Sequence, residues 1–487
     1  MPIFRTKDEL LRTQWAAKFQ SVTEGKQYTT EDDEHSPFPI HSYLKNKLLG
    51  KNVKMLEVNA GSALIEHFVA DTLTELTIKV DEQEKGPIVD ELWEWLNEID
   101  YEAKLDEVAR SFYGTGYGVM QLFRTEEEGE NGFTAITLDS STWYPDIPTF
   151  SWQKVTSGRV ISVFSETTKK ATQWYAFIEE HKPGSLTYRL YSIDGPDALE
   201  GKDIGLSRLS RFEGLAKSVT TDLDIIPIVQ ADRQKSSRHI CGQSVLYPIW
   251  GILQEISETQ TQIRQERIKH LRAKLAAAVR SLQRVDRERS DGSVATFKQA
   301  AALAAENAAL FDVNQEIIPL MAGDPTPAYI QRDLESISKG IDHINDLLSK
   351  AAAIVGCPRH VLNLEEAGGN VKVEVEKRKD RRYMRKVIQG QSRIETSLQQ
   401  LLQMYWFWKH GEEIVVEASF ADPFNLSQEE QVALVREMNP TATLISEEDA
   451  VRRVHSDKTP EEVNDYLARI KGEKRQSELA RPTDIVL

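Results

Sequence analysis

Val245-Leu246-Tyr247-Pro248-Ile249-Trp250-Gly251-Ile252-Leu253-Gln254-Glu255-Ile256 begins the first of two apolar seams in the chain. Val245, Ile249, Ile252 and Ile256 step by four, three and four; Ile263 follows seven later, and Ile268, Leu271 and Leu275 continue slightly out of phase. Spacing near a seven-residue repeat predicts a long helix with a narrow apolar edge, and we assign it to 236–280. A second seam, Leu334, Ile337, Ile341, Ile344 and Leu348, predicts another helix over 331–355, stopped by Gly356 and Pro358. Between them, 281–330 is irregular, with an Ala-rich helix from Ala300 to Ala309 and short runs Leu310–Val313 and Ile317–Leu320. Two seamed helices around a small mixed insert predict an antiparallel helical pair carrying a subdomain at its tip.

Working outward, the N-terminal side is mixed. Residues 1–44 are polar and read as an arm with a short helix. Residues 61–76 and 87–112 keep helical spacing through Leu64, Phe68, Leu73, Leu92, Trp95 and Leu105. From Gly118 to Val229 short β-like runs follow, Val119–Phe123, Phe133–Leu138, Val160–Phe164, Gln173–Ile178, Leu186–Tyr191 and Ile225–Val229, parted by Pro, Gly, Asp and Ser. The aromatics among them, Trp143, Tyr144, Trp152, Trp174 and Tyr175, suit the half-buried face of a pleated sheet better than a ligand box. Gly114-Thr115-Gly116-Tyr117-Gly118 looks like a phosphate loop, yet it lies between a helix and a strand, the reverse of the dinucleotide-binding order, and reads as a turn.

On the C-terminal side, a loop through Gly368-Gly369-Asn370 leads to a charged helix from about Val373 to Lys409. Lys377, Arg378, Lys379, Arg381, Arg382, Arg385 and Lys386 surround its first part, and a polyanion or an acidic partner suits so many like charges. Its second part, Leu401 to Trp408, is apolar and predicted to be buried. Ser427 with Glu430, Ser446 with Asp449, and Thr459-Pro460 with Glu462 signal three short helices. The last residues, 476–487, read as a disordered tail.

The chain has 487 residues, 40% hydrophobic, with 60 basic and 76 acidic side chains for a net charge of −16. That composition is globular, and no apolar run is long enough for a membrane span. The N-terminus lacks the apolar core of a signal peptide. Cys241 and Cys357 are the only cysteines, too few for a disulfide framework or a cysteine zinc site, and they suit a reducing compartment. Neither a Walker loop, nor His-Glu-x-x-His, nor Gly-x-Ser-x-Gly occurs. No catalytic residue, metal ligand or cofactor is assigned. A metal-dependent nucleic-acid-processing enzyme, its carboxylates assembled by the fold, is the alternative, distinguished by Mg²⁺-dependent activity on plasmid DNA. A head–tail adaptor is a third reading, against which the length argues.

The order of these elements over roughly 45–475 resembles a portal protein of the tailed bacteriophages. The resemblance rests on Ile226-Pro227-Ile228-Val229 leading through Gly242-Gln243-Ser244-Val245-Leu246 into a long helix, and on the two seamed helices about their insert. It rests also on Val355-Gly356-Cys357-Pro358 continuing to Gly368-Gly369-Asn370, and on Ser446-Glu447-Glu448-Asp449-Ala450-Val451 with Thr459-Pro460-Glu461-Glu462-Val463. At Val371-Lys372-Val373-Glu374 the chain departs from the small residue and Gly frequent in that family. The resemblance implies an α+β subunit with a mixed α/β wing (45–235 and, with a long kinked helix, 373–425), a two-helix stem (236–280, 331–355), a small α/β clip (281–330), a tunnel loop (356–372) and an α-helical crown (426–475).

It implies a homo-oligomeric ring, usually twelve-fold, at one capsid vertex of the virion, assembled in the host cytoplasm. Double-stranded DNA passes through such a ring without sequence specificity, packaged by a separate terminase large subunit and later ejected. Its other implied partners are the major capsid and scaffolding proteins and a head–tail adaptor, with no membrane. Arg359, His360, Val361, Leu362, Asn363 and Lys372 would line the channel, while Arg264, Arg267, Lys269, Lys274, Lys377, Arg378 and Arg381 are candidate contacts to DNA or an acidic partner. An acidic ring suits sliding, because each phosphate neutralised adds affinity.

Overall fold

A computed structural model describes residues 2–26, 37–38, 56, 58–81, 83, 86–127, 130–146, 155–167, 172–221, 223–235, 241–271, 274–278, 317–320, 328–330, 335–358 and 381–423. The chain forms two compact units, Met1–Ala421 and Asp422–Leu487. All described elements belong to the first; the expected crown helices, the tail and the Ala300–Ala309 helix lie outside the described residues. No described helix is long and apolar enough to cross a membrane.

In chain order, α1 (Lys7–Thr23) and α2 (Ala60–Thr72) precede β1 (Leu76–Val80), α3 (Pro87–Glu98) and α4 (Tyr101–Gly114). Nine strands follow: β2 (Tyr117–Glu127), β3 (Glu130–Leu138), β4 (Trp143–Asp146), β5 (Ser157–Thr167), β6 (Thr172–Lys182), β7 (Ser185–Ile193), β8 (Lys202–Asp203), β9 (Ser218–Thr220) and β10 (Ile228–Asp232). Then come α5 (Trp250–Leu271), β11 (Lys274–Ala278), β12 (Ile317–Leu320), β13 (Ala328–Ile330), α6 (Glu335–Val355), α7 (Arg381–His410) and β14 (Val416–Phe420). The described part is thus mixed α and β.

Two antiparallel sheets occupy the middle. One runs β10-β2-β3; the other runs β4-β5-β6-β7-β8, with β9 also on β7. Hairpin chemistry explains the β6–β7 connection: Lys182 pairs Ser185, Pro183 supplies a fixed φ, and Gly184 sits at φ +72°. Trp143 is fully buried on β4; its indole N–H donates to Gln230 Oε1 at 2.6 Å, and a side chain at Gly158 would overlap its ring. Tyr144 is buried beside it, Trp174 and Tyr175 are half-buried, and Trp152 lies outside the described residues.

Three differences from the sequence reading have physical causes. The described residues of the N-terminal arm, 2–26 and 37–38, pack against the core. Thr6 and Glu9 cap α1 reciprocally, Phe4 packs among Tyr144, Ile161 and Tyr191, and Arg12 donates to the Tyr117 hydroxyl (2.5 Å) and the Trp143 carbonyl (2.8 Å). Phe19 and Phe38 meet Trp250 edge-on at 5.1 and 4.9 Å, tying this segment to the start of α5. Secondly, α5 is shorter than 236–280: Pro248 confines Tyr247–Ile249 to a 3₁₀ turn before it, and Lys274 and Leu275 lie on β11. β11 pairs parallel to β12 and antiparallel to β13, so the insert's sheet begins before 281. Thirdly, Leu76–Val80 is no helix end but a strand paired with β14, which follows α7.

A backbone knot fixes the glycine-rich turn. Between α4 and β2, Gly116 has φ +104°, and any Cβ there would meet the Gln243 backbone at 2.8 Å. Gly242, at φ +80°, lies so close to the Gly116 and Arg233 carbonyls that a Cβ would overlap them. Arg233 N–H donates to the Gly116 carbonyl (2.8 Å), Gln243 N–H to the Arg233 carbonyl (2.9 Å) and Val245 N–H to the Tyr113 carbonyl (3.0 Å). The turn is therefore structural, and it holds the chain that leads into α5. Above it α7 crosses α4 at Gly390, where a side chain would overlap the Tyr113 hydroxyl.

Candidate functional site

The residues singled out in the sequence fall on the α5–α6 hairpin and on the segment that leaves its root. The helices are antiparallel: Glu255 meets His343 at 3.0 Å, while Ile263, further along α5, faces the earlier Gly340. A Cβ at Gly340 would meet Ile263 Cγ1 at 2.9 Å, so the missing side chain sets the close approach. Along α5 the buried stripe includes Leu253, Ile256, Ser257, Thr261 and Ile263. Its two hydroxyls bond back to the carbonyls one turn earlier, Ser257 to Leu253 (3.2 Å) and Thr261 to Ser257 (2.8 Å).

On α6 the buried side chains are Leu347, Ala351, Ala352 and Val355, rather than the expected isoleucines. Ile337, Ile344 and Leu348 are half-buried, and Ile341 is 48% exposed. The buried set thus mixes two large residues, Leu347 and Val355, with two alanines. Arg264 and Arg267 are exposed on α5. Lys269 also lies on α5, whereas Lys274 is on β11 and so leaves the helical face to which it was assigned.

At the hairpin's root α6 ends in a tight cap. Gly356 takes φ +75°, and the N–H groups of Gly356 and Cys357 both reach the Ala352 carbonyl at 2.8 Å. Lys386 donates to the Val355 carbonyl, placing a cation at the negative end of α6. Neighbouring Arg382 comes so close that a Cβ at Gly356 would stand 3.5 Å from its own Cβ. The chain returns beside this point at Arg381, which opens α7. Arg359, His360, Val361, Leu362, Asn363, Lys372, Lys377 and Arg378 lie outside the described residues.

The return is anchored in the core. Tyr383 is fully buried; its hydroxyl donates to Asp71 Oδ2 at 2.6 Å, and its ring packs on Phe68 at 5.1 Å. Burial and the Asp71 charge push its phenol well above the ordinary tyrosine range. Further along α7, Tyr405 stacks on Trp95 at 4.0 Å, and Leu401, Leu402 and Trp406 are buried. Sequence reasoning placed Lys386 in a uniformly solvated or polyanion-facing run and gave no role to Tyr383. One signal was available: a lone aromatic amid seven cations.

Chemically, this arrangement can hold the chain at two adjacent points while an exposed helical pair projects from the same root. Among the described residues no group of three or more His, Cys, Asp or Glu is placed to hold a metal ion. No protein-family model matches the sequence, and no curated protein matches it at a significant level.

Proposed function

We propose that the chain is a subunit of a portal ring through which double-stranded DNA enters and leaves a phage capsid. The observation carrying this reading is the antiparallel α5–α6 hairpin, which has the small β11–β13 sheet inserted between its helices and leaves part of its apolar stripe open. In this reading the hairpin is the stem, the insert meets the packaging motor, and the loop 356–372 reaches into the channel. The half-open stripe is then covered by the next subunit, a head-to-tail contact that closes into a ring. Arg264 and Arg267 face DNA or an acidic neighbour as weak, exchangeable contacts. Separation of the motor onto another chain accords with the absence of a Walker loop in this sequence. Negative-stain electron microscopy of the purified full-length protein tests the reading. Rings with a stain-filled central channel are expected; compact monomers throughout would sink it.

A further inference from the structure

Away from the hairpin, a cleft of about 500 Å³ opens where the turn after β10 meets the outer face of α7. Arg233, Lys235, Lys386 and Arg393 contribute four cations to its lining, with Ser392 and Thr396 beside them. No carboxylate is among the lining residues. Lys235 has a partner just outside, Asp232 at 2.8 Å, and Asp232 is also held by Gln230 at 2.5 Å. Four bases thus line the cleft, with one acid, Asp232, just outside it.

Arg233 is the unusual member. Its residue is only 7% exposed, and its guanidinium donates to the Gln243 carbonyl at 2.6 Å. Among the described residues no carboxylate pairs with it. Burial drives its pKa down to about 10, the direction expected of a charge without a counter-ion. A cation so placed costs stability unless an anion joins it. The knot nevertheless holds its backbone through both N–H and carbonyl, and the following Gln234 adopts φ +49°. The Arg233 backbone and guanidinium are thus both held, at a cleft that Lys235, Lys386 and Arg393 also line.

We propose that this cleft is a binding site for adjacent phosphate groups, a compact oxyanion of more than one negative charge such as a pyrophosphate unit. The guanidinium forks of Arg233 and Arg393 match phosphate oxygens in pairs, and Lys235 and Lys386 supply point charges. Hydroxyls at Ser392 and Thr396 add donors. The one ring in the lining, Phe112, is buried edge-on against Tyr113 at 5.0 Å, so no aromatic face is offered to a nucleobase. Recognition is therefore of the phosphates alone, and these come either as free polyphosphate or in a nucleic-acid backbone. The site does not depend on ring formation.

Titration calorimetry of the full-length protein with sodium pyrophosphate tests it. Saturable binding of one pyrophosphate per chain is expected, weakening as salt rises. Arg393→Gln alters an exposed side chain and should weaken binding about tenfold, the order of one charge-assisted hydrogen bond. Arg233→Gln should weaken it further, and Asp232→Asn, which removes the one nearby negative charge, should tighten it. A short DNA duplex added as competitor separates the sources: displacement of pyrophosphate assigns the site to backbone phosphates, and persistence of binding assigns it to free polyphosphate. No saturable binding at millimolar pyrophosphate, unchanged binding by Arg393→Gln, or equally tight binding of citrate would each overturn the proposal.

Discussion

The body around β2–β10 and the α5–α6 hairpin bury different kinds of side chain. The body encloses large aromatics: Trp143, Tyr113, Tyr117, Tyr383 and Tyr405 are all nearly inaccessible, and their polar atoms meet carbonyls, hydroxyls or side chains. The hairpin encloses aliphatic ones, Leu253, Ile256, Ile263, Leu347 and Val355 with Ala351 and Ala352, and sets Gly340 against Ile263, while Ile341 and Ile354 stand half in solvent. Those two leave apolar surface on the hairpin for something else.

The contrast breaks most readily in the body. Trp143→Ala should cost about 3–5 kcal/mol through the cavity it leaves. Gly242→Ala should cost a similar or slightly smaller amount, from strain at φ +80° and overlap with two carbonyl oxygens. Urea unfolding followed by tryptophan fluorescence measures both; losses under 1 kcal/mol would mean the knot and the indole pocket are looser than described.

Alkaline pH probes the same core. Burial raises the phenols of Tyr113 (to about 12), Tyr117 and Tyr383 above the ordinary value of 10.0. Each therefore keeps its proton in the folded state after the unfolded chain has lost it, and stability falls as pH rises above 10. Every such group contributes about 1.4 kcal/mol per pH unit. Arg233, lowered to about 10, has the opposite sign, since the unfolded chain then holds more protons. The three phenols outweigh the one guanidinium, so the net effect is a loss of stability as pH rises above 10. Tyrosinate absorbance should accordingly show three phenols that ionise only with unfolding; free titration of all 14 tyrosines in the folded protein would contradict the burial.

At the junction of the two regions, Lys386→Met should cost about 1 kcal/mol by leaving the end of α6 without its cation. Thermal melting at low and high salt checks this, with the larger difference at low salt. The smallest effect on folding belongs to the hairpin: Ile341→Asp should change the core's stability by no more than about 0.5 kcal/mol.

Legibility in the sequence follows the same division. The seam through Ile256 and Ile263 was readable because helical period and burial coincide there. On α6 the period points to Ile337, Ile341, Ile344 and Leu348, whereas the fully buried side chains are Leu347, Ala351, Ala352 and Val355, on a face shifted round the helix. The strand runs at Val119, Phe133, Val160, Gln173 and Leu186 announced themselves by composition and turn residues. β1 and β14 did not, since five residues at 76–80 find their partner at 416–420. Gly116 and Gly242 were each visible as turn glycines, but their mutual contact is a tertiary fact that neither local pattern contains. Arg233 was invisible for the same reason: only the fold buries it and surrounds it with Lys235, Lys386 and Arg393.

Native mass spectrometry of the full-length protein beside its Ile341→Asp variant tests most directly whether the hairpin's open stripe is made for neighbouring copies. The account predicts a closed assembly of about twelve chains for the unaltered protein, and for the variant a loss of that assembly with the melting of the core unchanged. A monomeric unaltered protein at micromolar concentration, or a variant that still closes the ring, would contradict it.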